Sequence, residues 1–208
     1  MQTLSEIRAL LASVGRRPRR ALGQHFLIDG NLMKKLLELA DLGGGEVVLE
    51  VGAGTGSLTE ELLQRARRVV AVEVDTVLAE IVRRRLAGRG NLTVLNCDVL
   101  AGKHAIAAEV LELLRGEGNV HLVANLPYNV AVPLILNCLL ASWRAARSRE
   151  DRPVCFRRLT FTAQRELVER MTAGGGAAYG PASVMVALLA GATRGKADAA
   201  AELLAPAE

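Results

Sequence analysis

The sequence predicts an α/β fold: a mostly parallel sheet with helices on both faces. Three observations predict it. Short, near-continuous apolar runs rich in Val and Leu recur through residue 125. Each is followed by a stretch with apolar residues at helical spacing. A glycine cluster separates the first run from the first of these helices. Strands buried on both faces read as unbroken apolar runs, and their alternation with helices argues for parallel crossovers.

The elements follow in order. "MQTLSEIRALLASVG" reads as a short helix, with Thr3 and Glu6 forming a capping box and Gly15 stopping it. It lacks the basic region followed by an apolar core that marks a signal peptide. "EVVLEV" (46–51) is the first strand, then a glycine loop, then the helical "SLTEELLQRA". "RVVAVEV" (68–74) is the second strand and "DTVLAEIVRRRLAG" its helix. "NLTVLNC" (91–97) and "AIAAEVLELLRG" form the third pair. "NVHLVA" (119–124) is the fourth strand, followed by an apolar helix around 131–143. Beyond that the pattern loosens. "SWRAARSREDRP" reads as a polar loop, "CFRRLTFTA" as a fifth strand and "QRELVERMTA" as a helix, while "ASVMVALLAGA" fits either a sixth strand or a buried helix.

Composition bounds the function. The chain has 208 residues, half of them apolar and only 3% aromatic, so Leu, Val and Ala must make the core. A net charge of +4 permits a nucleic-acid partner. Cys97, Cys138 and Cys155 are scattered and odd in number, which speaks against disulfide or zinc frameworks and for a reducing cytoplasm. No apolar run reaches membrane-spanning length. No metal and no membrane partner are expected.

The first strand runs into Glu50-Val51-Gly52-Ala53-Gly54-Thr55-Gly56. Glycines there let the chain turn sharply and let a ligand approach the backbone. Their Gly-x-Gly-x-Gly spacing differs from that of dinucleotide binders. Glu73 ends the second strand, where a carboxylate can accept hydrogen bonds from ribose hydroxyls. Asp98 ends the third, within reach of an adenine amino group. Each acid alone also fits a solvated strand end. Asn125 follows the fourth strand, so four polar groups fall on the sheet edge where α/β proteins bind ligands.

The chain resembles the ribosomal RNA adenine N6,N6-dimethyltransferases. The resemblance rests on "GQHFL" (23–27), "EVGAGTGSLT" (50–59), "VEVD" (72–75), "NCDVL" (96–100), "NLPYNV" (125–130), "QRELVERM" (164–171) and "AYGPASVM" (178–185), in the family's order. It implies a Rossmann-like methyltransferase domain over 21–190, preceded by an N-terminal helix and basic segment (1–20). It also implies S-adenosylmethionine as methyl donor and small-subunit ribosomal RNA as substrate; a monomer is expected. Carried over by position, His25 and Leu27 would contact the methyl donor, Gly52 its methionine part, Glu73 its ribose and Asp98 its adenine. Asn125 would face methyl donor and target together.

The resemblance gives "NLPY" a chemical role. The exocyclic nitrogen of adenine is a poor nucleophile, because its lone pair is delocalised into the ring. The Asn125 side-chain oxygen and the Leu126 carbonyl would each accept one of its hydrogens and favour a pyramidal nitrogen. Pro127 would fix that backbone in advance. Tyr128 would offer a face on which a flipped-out adenine stacks. The alternative is a turn in which Asn125 is a cap and Tyr128 a filler.

Departures set further expectations. His25 stands where the family usually has Asn, and Ala131 where Ser or Thr is common. Residues 191–208 are divergent: the family's second base-clamping aromatic would fall near Leu203. That aromatic, a late strand and the C-terminal helical domain are expected to be missing, leaving an apolar sheet edge open. Arg16, Arg17, Arg19 and Arg20, and Arg144, Arg147, Arg149 and Arg152, are read as phosphate contacts near the target entrance. The competing reading is a non-catalytic ribosome-assembly or RNA-binding factor that kept the fold. A DNA adenine methylase is disfavoured, because those enzymes lack "GQHFL".

Overall fold

A seven-stranded sheet in the order β3-β2-β1-β4-β5-β7-β6 forms the centre of the molecule. The computed structural model describes residues 2–15, 30–147, 153–194 and 200–204. The strands are β1 (Val47–Val51), β2 (Arg68–Val72), β3 (Leu92–Leu95), β4 (Val120–Asn125), β5 (Phe156–Thr162), β6 (Gly191–Arg194) and β7 (Ala200–Leu204). The helices are α1 (Leu4–Ser13), α2 (Gly30–Ala40), α3 (Ser57–Leu62), α4 (Thr76–Arg85), α5 (Ala108–Leu114), α6 (Tyr128–Ala145), α7 (Arg165–Met171) and α8 (Pro181–Leu189).

The first five strands pair in parallel. Alternation along β1 shows why both faces need covering. Val47, Leu49 and Val51 pack with α5, α6, α7 and α8, whereas Val48 packs with α2, α3 and α4. All five β1 residues are buried. The α1 helix forms an outer layer: Ile7 and Leu11 pack on Leu78 and Ile81 of α4. Its capping box is present, with Glu6 N–H bonded to Thr3 Oγ1 and Thr3 N–H bonded to Glu6 Oε2. Gly15, just past its end, has φ 65°.

One sequence expectation needs correction. The late strand is present: β7 lies antiparallel on β5, with Leu203 opposite Leu159, and β6 pairs beyond it. The far edge of β5 is therefore covered. "AAELL" has low strand propensity, and what recruits it is the row of unpaired backbone groups along β5. The stretch "ASVMVALLAGA" resolves as a helix, α8, opened by Pro181 at its first turn.

The α2 helix is tied down at its C-terminal end. Arg158 Nη1 donates to the carbonyls of Leu39 and Ala40 at 3.1 and 3.4 Å and pairs with Asp41 at 3.3 Å. A cation there satisfies carbonyls that lack helical partners. The anchor matters for the site, because α2 directly follows the segment 23–27.

Candidate functional site

Strand order fixes where a ligand can bind. From β1 the chain winds outward through β2 and β3, then returns to the other side of β1 as β4. The crevice outside the carboxyl ends of β1 and β4 is the switch point of the sheet. Gly52 follows β1 and Asn125 ends β4, so the fold brings these two together there. A Cβ built on Gly52 would lie 4.0 Å from the Asn125 carbonyl oxygen, and Gly52 has φ 80°. That backbone angle, more than lack of room, favours glycine.

The glycine loop is held from below by Glu73, one residue past β2. Gly54 N–H donates to Glu73 Oε2 at 2.8 Å, and Asp75 N–H donates to Oε1 at 2.9 Å. Gly52 N–H bonds the Val72 carbonyl at 2.8 Å. Each Glu73 oxygen can accept a second hydrogen bond. Burial raises the Glu73 pKa, while the two backbone N–H groups oppose the shift. Asn96 Nδ2 donates to the carbonyls of Glu73 and Val74 at 2.7 and 3.2 Å. Asn96 therefore sets the backbone from which Glu73 projects. Sequence reading assigned it no role.

Asp98 is exposed beyond the end of β3, and its Oδ1 accepts the Leu100 N–H at 2.9 Å. Below the loop, Glu50 is 1% exposed and neither of its oxygens makes a hydrogen bond among the described residues. Burial pushes its acid up to about 8. Thr59 lies near enough to ease that shift yet outside bonding geometry, and the Glu73 carboxylate adds to the rise. Three acids, Glu73, Asp75 and Asp98, therefore lie just past the ends of two adjacent strands, β2 and β3. Such an edge suits a ligand carrying positive charge.

Asn125 is oriented by a residue that the sequence did not single out. Thr162 ends β5 in register with Asn125, and its hydroxyl donates to Asn125 Oδ1 at 2.6 Å. The Leu126 N–H donates to the Thr162 carbonyl at 3.0 Å. One buried threonine thus holds both the amide and the peptide after it. Leu126 is buried, and Pro127 caps α6 with φ −62°. Tyr128 begins α6; its side chain lies outside the described residues, as do His25, Leu27, Arg16, Arg17, Arg19, Arg20, Arg149 and Arg152.

Arg144 and Arg147 are not near this edge. They lie at and just beyond the end of α6, an 18-residue helix that runs about 25 Å from Asn125. Ser142 confirms the position, since its hydroxyl bonds the backbone N–H of Phe156, the first residue of β5, at 2.9 Å. Arg147 stacks on Trp143, 4.4 Å from the ring centroid. Sequence proximity to "NLPY" misled because a helix carries the chain to the opposite edge. Among the described residues there is no group of His, Cys, Asp and Glu that could hold a metal ion, and no helix is long and apolar enough to cross a membrane.

The ribosomal RNA adenine dimethylase family profile matches residues 15–193. A Phenylobacterium zucineum protein named ribosomal RNA small subunit methyltransferase A is 36% identical over 186 residues, covering 89% of this chain and 59% of that protein. One of the same name from Leifsonia xyli is 40% identical, covering 88% and 60%. The chain thus spans under two thirds of the length of these relatives. Among solved structures, the 23S rRNA methyltransferase ErmE is similar with a TM-score of 0.65 and 26% identity, covering 88% of this chain and 71% of that one. A Plasmodium falciparum dimethyladenosine transferase shares the fold, with a TM-score of 0.63 and 24% identity over 86% of this chain and 62% of its own.

Proposed function

This chain belongs to the ribosomal RNA adenine dimethylase family, and from that premise we propose that it transfers methyl groups from S-adenosylmethionine to the N6 amino group of adenine in small-subunit ribosomal RNA. The observation that carries the reading is the Asn125 amide, held by Thr162 at the switch point beside the glycine loop. S-adenosylmethionine supplies an electrophilic methyl group on a positively charged sulfur, which the acidic strand ends match in sign.

The residues divide the work. Gly52 lets the backbone approach the methionine part, Glu73 takes the ribose hydroxyls, and Asp98 takes the adenine amino group. His25 and Leu27 contact the bound methyl donor. Asn125 Oδ1 and the Leu126 carbonyl accept the two hydrogens of the target nitrogen, which frees its lone pair. Pro127 and Thr162 hold those acceptors in place before substrate arrives, so little reorganisation is needed in the transition state. Tyr128 stacks on the target base. Catalysis comes mainly from orientation. No strong base is required, because the methylated ammonium is acidic enough to give its proton to water. The acting species is a cytoplasmic monomer on the small ribosomal subunit.

Incubation with isotope-labelled S-adenosylmethionine and undermethylated small ribosomal subunits tests this, with the modified adenine mapped afterwards. Methyl transfer to adenine N6 is expected. Methyl-donor binding without transfer would favour the non-catalytic RNA-binding reading instead.

Glu73 gives a second test. Glu73→Ala removes the acceptor for ribose and the anchor of Gly54. S-adenosylmethionine binding should weaken by about 1–3 kcal/mol, the scale of hydrogen bonds to a charged group. Unchanged affinity by calorimetry in a folded variant would remove Glu73 from the site.

A further inference from the structure

The glycine loop has a second anchor, on its outer side. Gln2 lies just ahead of α1 and is 9% exposed. Its Oε1 accepts two hydroxyl hydrogens, from Thr55 and from Ser57, each at 2.6 Å. Thr55 and Ser57 are themselves buried. The residue between them, Gly56, has φ 82°. Both lone pairs of one amide oxygen are therefore spent on the two residues that flank the last glycine of the loop.

We propose that Gln2 is a positioning residue for the methyl-donor loop, and that α1 is the arm that holds it there. Packing of Ile7 and Leu11 on α4 fixes α1, and its capping box fixes the turn that Gln2 precedes. The Arg85 guanidinium, on α4, bonds the Thr55 carbonyl and pairs with Glu60 at 3.1 Å. The same helix thus carries α1 on one side and reaches the loop directly from the other. The loop needs such support. Gly52, Gly54 and Gly56 all have positive φ, and a chain of this kind loses much conformational entropy on being held. Glu73 holds the first half through Gly54, and Gln2 holds the second. This inference rests on the reading that the loop cradles the methyl donor.

Two variants separate positioning from bulk stability. Gln2→Met keeps the length and packing but has no oxygen. Gln2→Glu keeps an oxygen that accepts both hydroxyls. Amide hydrogen exchange is measured at Gly54 and Gly56 in the unliganded full chain, alongside calorimetric S-adenosylmethionine affinity and thermal midpoint. Both amides are hydrogen-bonded, to Glu73 and to Ala53, so loosening of the loop will speed their exchange. Gln2→Met should exchange there about 10-fold faster and bind about 5- to 20-fold more weakly, the size expected for two hydrogen bonds. Its thermal midpoint should stay within a few degrees of the parent, and Gln2→Glu should restore exchange and affinity. Parent-like exchange in Gln2→Met overturns the proposal. So does equal loss in both variants that follows a common fall in thermal midpoint. If the parent chain binds no S-adenosylmethionine, the reading of the site fails, while the exchange rates still decide on Gln2.

Discussion

Asn125→Ala will lower methyl transfer to adenine by about 10²–10³-fold, the range seen when one preorganised polar group is removed from a reacting centre. The loss should fall on the rate at saturating substrate. The Asn125 oxygen matters most when the target nitrogen becomes pyramidal, so the interaction strengthens toward the transition state. S-adenosylmethionine affinity should fall by much less. Thr162→Val probes the same step from behind. It leaves Asn125 in place but removes the hydroxyl that fixes its oxygen at 2.6 Å. The rate should drop about 10-fold, and in the double variant Thr162→Val should add little to the loss already caused by Asn125→Ala. Single-turnover rates and calorimetry on the three variants measure both quantities. Equal losses in rate and in methyl-donor affinity for Asn125→Ala would assign Asn125 to ligand binding alone.

That prediction depends on a residue the sequence could not point to. Asn125 stands in a motif, at the end of an apolar run, and its type and place announce a site. Thr162 is 37 positions away and looks like any strand threonine. What makes it matter is the register of β4 on β5, a property of the fold rather than of either segment. Asn96 and Gln2 were missed for the same reason, since each acts on a backbone or side chain far along the chain. The strands themselves were legible, because burial on both faces leaves little but Val, Leu and Ala in β1, β2 and β4. Their ends moved by one or two residues, as in β2, which stops at Val72 and leaves Glu73 just outside. The β7 strand was illegible, since "AAELL" carries no strand signal and forms only against an edge already built. The arginines after α6 show the opposite error. Their type suggested a role, and the length of α6 put the two described ones at the wrong edge for it.

Glu50 carries the other large effect, and it concerns stability. In the unfolded chain its pKa is near 4.5; in the folded chain burial raises it to about 8. The folded state therefore holds a proton that the unfolded state has released across that interval. Its stabilising contribution is complete below about pH 4.5 and is lost as pH rises through 8. At 1.36 kcal/mol per unit, the fold should lose about 4 kcal/mol from this group between pH 5 and 9. Glu73, also raised by burial, adds in the same direction. Glu50→Gln separates the two. The amide is neutral at every pH, so the variant should match the parent within about 1–2 kcal/mol at pH 5, given that both bury an unbonded polar group. At pH 9 it should be the more stable protein. The residual slope in Glu50→Gln then reports Glu73 and the rest of the chain. Urea midpoints for both proteins at pH 5, 7 and 9 provide the measurement. Parallel curves would mean that Glu50 ionises freely in the folded state, and that the space between β1 and α3 holds enough water to hydrate a carboxylate.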